Sequence, residues 1–387
     1  MYIEESNKKY EKRQKNKENR PNVYQYFEQL EKHLGGDLKK IFNGKIVYPR
    51  QLELHLPTDH KKPCVFNCFY CAGKRFQKDL GDFEMNALEL LRKLDGRIPY
   101  VIYGGSYTEP LLNPYFMAFL AMTKKTGSHF GIHTNGSMLK RLEETQGWLT
   151  VLSEIAEDKV DYLSISLDAG STESHCKIKG VKHDWYSEII EGIKMAVKAS
   201  KGKKGPAVRV CYLLNEFNSS EKEIANIVKT MKDIGVDSLR FSIPFAPYAQ
   251  DFDVVRQYKQ NVEDKNDYSY YKKVEPYLSK SQNEKPFIFY ISPEFQNIEL
   301  FNFKQCIYGY YQICWGADGY VYRCTTISTP TFKELRLGKI TDDLEKFNQM
   351  ILKNQDPTFN CNKCFSIKGR CNRMGLEINK KWKELNE

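Results

Sequence analysis

The sequence predicts an α/β fold built on a parallel sheet, and three observations carry that expectation. Between residues 51 and 250, strand-like apolar runs alternate with segments of helical period, as parallel strands joined by right-handed crossovers require. The chain is 387 residues long and 41% hydrophobic, enough to bury a full core and one smaller unit beside it. Polar and glycine residues gather just past the strand runs, where ligand sites of parallel sheets lie.

In chain order, residues 1 to about 20 are charged and lack apolar periodicity, which reads as a basic arm. A helix follows through Val23, Phe27, Leu30 and Leu34, stopped by Gly35-Gly36, and residues 1–50 form this leading segment. The first core strand is Gln51 to Leu56. A helix is expected from about Asp82 to Leu94, then strand Tyr100 to Tyr103, helix Pro114 to Lys125 and strand His129 to His133. Helix Leu142 to Ile155 leads to strand Asp161 to Leu167, and helix Trp185 to Ala199 to strand Val208 to Leu214. Helix Glu221 to Ile234 and strand Ser238 to Ile243 complete six strands with five intervening helices within 51–250. An open, partial barrel and a doubly wound sheet both fit this pattern. Residues 251–300 read as a linker with clustered tyrosines, better explained by packing than by a cleft, and a strand at Phe287 to Tyr290; residues 301–387 form a cysteine-rich tail.

Cysteine placement singles out two chemical centres. Of eleven cysteines, three lie at Cys64, Cys68 and Cys71 and six between Cys306 and Cys371, with only Cys176 and Cys211 between them. No apolar stretch follows the first residue and no apolar run reaches membrane-spanning length, so a cytoplasmic chain is expected, with thiols used for metal or catalysis rather than disulfides. Cys64-x3-Cys68-x2-Cys71 lets three thiolates of one loop hold three irons of a cubane and leaves a fourth iron open. A zinc knuckle is the competing reading, but structural zinc wants four protein ligands close by.

The motif, with the aromatic Tyr70 ahead of its last cysteine, resembles the signature of the radical S-adenosylmethionine (radical SAM) enzymes. That resemblance implies a partial (β/α)6 barrel and a 4Fe–4S cluster whose open iron binds the amino and carboxylate groups of S-adenosylmethionine. It also implies an external electron donor such as flavodoxin or ferredoxin, and a 5′-deoxyadenosyl radical that abstracts hydrogen from a substrate. Gly104-Gly105-Ser106-Tyr107-Thr108-Glu109-Pro110 resembles the superfamily's Gly-Gly-Glu-Pro segment with two residues inserted, so Gly104, Gly105, Thr108 and Glu109 are candidates to receive the cofactor ammonium. Further candidate cofactor contacts are Tyr70, Asn135, Ser164, Ser166, Asp168, Asn215 and Arg240. Strand alternation would put Ser164, Ser166 and Asp168 on one face.

In the tail, Trp315-Gly316-Ala317-Asp318-Gly319-Tyr320 reads as a β-hairpin turn. Twelve residues separate Cys306 from Gly319 and four separate Gly319 from Cys324. A helix near Asp342 to Leu352, then Cys361-x2-Cys364 and Cys371, follow. This resembles the SPASM or twitch extension of radical SAM enzymes, which implies one or two auxiliary 4Fe–4S clusters. Cys306, Cys324, Cys361 and Cys364 would hold one, and Cys314 and Cys371 could contribute to a second. Gly375 stands where the full pattern has a further cysteine, and a zinc ribbon is the alternative for the same hairpin and pair.

The net charge of +10 is concentrated in Lys8, Lys9, Lys12, Arg13, Lys15, Lys17 and Arg20, which a solvated arm explains without nucleic-acid binding. The expected function is oxidation or modification of a small polar metabolite or a peptide. Two alternatives stand beside it: a redox-neutral epimerase with Cys176 as hydrogen donor, and a non-catalytic, metal-dependent nucleic-acid-binding protein.

Overall fold

The computed structural model describes residues 47–58, 63–71, 83–157, 159–201, 205–242, 269–290 and 307–356. The basic arm, the helix expected at 23–34, and Cys306, Cys361, Cys364 and Cys371 lie outside them.

Six parallel strands follow one another in space as in sequence: β1 (Gln51–His55), β2 (Tyr100–Gly104), β3 (His129–Thr134), β4 (Tyr162–Ser166), β5 (Ala207–Leu213) and β6 (Ser238–Ser242). The crossovers carry α1 (Glu84–Leu94), α2 (Phe116–Lys125), α3 (Leu139–Gln146), α4 (Trp148–Ile155), α5 (Thr172–Lys179), α6 (Trp185–Ser200) and α7 (Glu221–Ile234). This is the parallel α/β core expected of a partial barrel. Alternation divides each strand. Leu52, Leu54, Val101, Leu163, Ile165, Val208, Val210, Leu239 and Phe241 join the hydrophobic core under the helices. Glu53, His133, Ser164, Arg209 and Arg240 sit at the intervening positions, on the opposite, lumen face.

Two differences in the helices have local causes. The segment expected as one helix from Leu142 to Ile155 is two, because Gly147 adopts φ 60° and both ends α3 and begins α4. Helix α5 has no counterpart among the expected elements. Its sequence, TESHCKIK, has almost no apolar period, and only its ends announce it: Ser171 accepts from the Ser174 amide, and Gly180 closes it at φ 62°.

The sheet extends beyond residue 250 at both edges. β7 (Phe287–Tyr290) pairs parallel with β6, and β8 (Gln312–Trp315), from the cysteine-rich tail, pairs parallel with β1. The predicted hairpin is present: β9 (Tyr320–Tyr322) runs antiparallel to β8, with Gly319 at φ 80° in the turn. β10 (Arg336–Lys339) adds an antiparallel edge, and α8 (Leu344–Gln355) packs behind it. Asp318 ties the hairpin to that edge, accepting from Tyr322 Oη at 2.6 Å and Arg336 Nη2 at 2.6 Å. Tyr270 and Tyr271, from the tyrosine-rich segment, are buried in the core, so packing explains them.

Candidate cofactor site

The cysteine loop leaves the carboxyl end of β1 and is tied down on both sides. Pro63 carbonyl accepts from the Glu109 amide at 3.0 Å. The Asn67 and Phe69 amides donate to the Lys179 and Ile178 carbonyls at the end of α5, at 2.8 and 3.3 Å. Phe66 wedges edge-on between His175 and Trp185, with centroids 5.4 and 5.8 Å away. Gly180 lets α5 come this close: a Cβ there would stand 2.6 Å from the Asn67 carbonyl oxygen.

Cys64, Cys68 and Cys71 are free thiols in this loop. Burial pushes the Cys64 thiol up to about 12, with Glu109 adding to the shift. Burial likewise raises Cys68 to about 11, against the pull of Lys179. Without metal these sulfurs are protonated at neutral pH; a metal reverses that preference and releases the protons. Among the described residues, no three His, Cys, Asp or Glu side chains gather round a single-ion site.

Glu109 lies beside the loop. Its buried carboxylate accepts from Thr134 Oγ1 at 2.6 Å, the Asn135 amide at 2.9 Å and the Leu111 amide at 3.3 Å. Burial outweighs these bonds and lifts its carboxyl to about 7. Asn135 turns the same corner outward, its Nδ2 donating to Cys64 Sγ at 3.2 Å. Gly105 permits the tight turn before Glu109, since a Cβ would overlap the Thr108 carbonyl oxygen. Thr108 Oγ1 is enclosed without a partner. Three soft donors with a carboxylate and an unspent hydroxyl alongside fit a thiolate-held cluster with a small zwitterionic ligand. Gly105→Ala should cost about 1–3 kcal/mol through the forced shift of this turn, read as a lower midpoint in denaturant unfolding.

The other candidates separate by position. Ser164 Oγ lies 3.2 Å from Cys211 Sγ on the lumen face. Ser166 presents its carbonyl to Lys179 Nζ at 3.1 Å. Asp168 does not share the lumen face with the serines as alternation suggested: β4 has ended, and the residue adopts φ 57°. It is buried, binding Lys179 Nζ at 2.6 Å, Tyr70 Oη at 2.7 Å and the Leu213 amide at 2.9 Å. Asn215 spends its side chain on its own turn, to the Leu213 carbonyl and the Phe217 amide. Gly104 backs on Glu53 and His133, and Arg240 stands in the lumen. Cys176 lies off the buried face of α5, donating to the His183 carbonyl at 3.6 Å.

Lys179 is the residue that sequence reasoning missed. Burial opposes its charge, yet Asp168 and Cys68 outweigh that and raise its ammonium above the ordinary value. It also donates to Tyr70 Oη at 3.2 Å, so one buried cation holds both the loop's aromatic and the strand-end acid. The signal was the short capped helix ending in Lys179-Gly180.

In the tail, Cys314 is buried on β8 with Sγ 3.9 Å from His55 Nε2, and burial drives its thiol well above the ordinary range. Cys324 is buried at the head of a 3-10 turn, Thr325–Ile327.

Fold and loop together define an α/β partial-barrel protein with a thiol-rich loop at the carboxyl end of its first strand. Residues 62–228 match the family model of the Radical SAM superfamily, and that match implies a 4Fe–4S cluster, S-adenosylmethionine and an external reductant. It is 27% identical over 192 residues to the tungsten-containing aldehyde ferredoxin oxidoreductase cofactor-modifying protein of Pyrococcus furiosus, covering 48% of this chain and 50% of that protein. It is 24% identical over 176 residues to a probable GTP 3′,8-cyclase of Pyrobaculum aerophilum, covering 44% and 52%. The chain thus spans about half the length of the curated relatives it matches. Among solved structures, SuiB of Streptococcus suis bound to S-adenosylmethionine superposes with a TM-score of 0.53 at 14% identity, over 90% of this chain and 77% of that one, a likeness of fold. No helix among the described residues is long and apolar enough to cross a membrane.

Proposed function

We propose that the chain cleaves S-adenosylmethionine reductively at the Cys64, Cys68 and Cys71 loop and uses the radical to oxidise or modify a small polar metabolite, a peptide being the other substrate class. The observation that carries this reading is the placing of Glu109, through Asn135, directly beside Cys64. When bound, the cluster supplies the electron that splits the cofactor into methionine and a 5′-deoxyadenosyl radical.

Cys64, Cys68 and Cys71 would hold the cluster through their sulfurs. Glu109 takes the cofactor ammonium, and Thr108 Oγ1 offers a hydrogen bond beside it. The donor from Asn135 Nδ2 stabilises negative charge on the Cys64 sulfur. The names of the two curated relatives, a cofactor-modifying protein and a nucleotide cyclase, favour a small metabolite. The tail cysteines Cys306, Cys314, Cys324, Cys361, Cys364 and Cys371 would supply one or two auxiliary clusters that accept the electron left on the substrate.

Anaerobic reconstitution is the test. Iron and sulfide beyond one cluster per chain, with reductant-dependent formation of 5′-deoxyadenosine, supports the reading; zinc with no cleavage overturns it. Cys68→Ala should abolish cleavage. A hydrogen-donor role for Cys176, which a redox-neutral epimerase would need, is removed by unchanged turnover and product stereochemistry in Cys176→Ala.

A further inference from the structure

The lumen face carries charge that the cofactor site does not use. Arg209 on β5 and Arg240 on β6 are diagonal neighbours, since Cys211 pairs with Arg240 and Arg209 with Ser238. Strand spacing and rise put their Cα atoms about 8 Å apart, within reach of one bound group for two long guanidinium side chains. Neither forms an ion pair with a carboxylate among the described residues. Arg209 lies over the Tyr162 ring, 4.2 Å from its centroid, and Arg240 keeps an enclosed Nε without a partner.

Glu53, a lumen carboxylate among the described residues, forms no ion pair with either. Glu53 stands on β1 and is taken up on its own wall, by His55 Nε2 at 3.0 Å, Gln312 Nε2 at 2.8 Å and Gln51 Nε2 at 3.4 Å. His133, hydrogen-bonded to Tyr162 Oη at 2.9 Å, lies between the two walls. The protein crowding around it drives its imidazole down to about 4; Glu53 acts against this shift, while Arg240 and Arg209 add to it. An imidazole carries no negative charge near neutral pH, so His133 offsets neither arginine, and among the described residues the two guanidinium groups stand without a carboxylate partner. Two unpaired like charges on adjacent strands repel, and an anion bound between them removes the repulsion.

We propose that Arg209 and Arg240 bind an anionic group of the substrate, a carboxylate or a phosphate, on the lumen wall of β5 and β6. Assigning that anion to the substrate rests on the radical SAM reading above; its binding to the two arginines does not.

The test is calorimetric titration of the full, anaerobically reconstituted chain, without reductant, with inorganic phosphate and separately with succinate at fixed ionic strength. Saturable binding of at least one is expected, and which one binds tells a phosphorylated substrate from a carboxylated one. Arg209→Met and Arg240→Met should each weaken it tenfold or more, with Arg209→Lys retaining part of the affinity. Near-ultraviolet circular dichroism and iron content check that each variant is folded and loaded, and the lysine variant serves if a methionine variant is not. No saturable binding, or binding unchanged by both substitutions as the basic arm alone would give, overturns the proposal. Displacement of the anion by S-adenosylmethionine also overturns it, by assigning the arginines to the cofactor carboxylate. Anion binding in a chain that cleaves no S-adenosylmethionine would retire the proposed reaction and leave the arginine site standing. Cleavage without anion binding would retire the arginine site alone.

Discussion

Lys179→Met is expected to destabilise the protein by about 3–5 kcal/mol, because it leaves the Asp168 carboxylate buried without its cation. The same change releases Tyr70, whose hydroxyl both residues hold, and with it the last turn of the cysteine loop. Iron incorporation should fall together with the unfolding midpoint. Combining Lys179→Met with Asp168→Asn removes both charges, and asparagine tolerates the left-handed backbone at that position. The double variant should recover much of the lost stability. A single variant within about 0.5 kcal/mol of the native chain would show that the pair does not anchor the loop.

How much of this was legible in the sequence differs by element. Strands β1 to β6 were readable because their core-facing positions are near-continuous in Val, Ile, Leu and Phe, and the thiol motif needs no tertiary context. Helix α5 was not: it buries mostly Ser174, His175 and Lys179, so the apolar period that reveals a helix is missing. The role of Asp168 was hidden for a related reason. Extrapolating a period of two past Ser166 assumes the strand continues, whereas the backbone turns left-handed there and aims the acid at Lys179. Glu109 was found from its motif, but its contact with the Asn135 amide joins two strand ends that only folding brings together.

Glu109→Gln should weaken S-adenosylmethionine binding about 10- to 100-fold, the loss expected for one charge-assisted hydrogen bond to the ammonium, while iron content stays unchanged. The pH dependence follows from the raised carboxyl, near 7 in the chain without cofactor. The folded state holds this proton more tightly than the unfolded state does. Stability without cofactor therefore declines as pH rises from the ordinary carboxylate range towards about 7. Cofactor affinity runs the other way, rising as the carboxylate forms and levelling off above that value. Across this range equilibrium binding checks the affinity slope and denaturant unfolding the stability slope, and an affinity that is flat through neutrality in the native chain would remove Glu109 as the ammonium partner.

The parallel pairing of β8 with β1 bears on how the protein can be cut. A chain shortened to end before residue 301 would strip one neighbour from the strand that feeds the cysteine loop. Its hydrogen-bonding groups from Gln51 to Leu54 would become an open edge, the kind of surface on which chains associate with one another. Glu53 would also lose Gln312 from its shell. Aggregation of such a fragment would report an exposed strand rather than a missing metal centre, and mixing it with the separate tail segment should restore solubility.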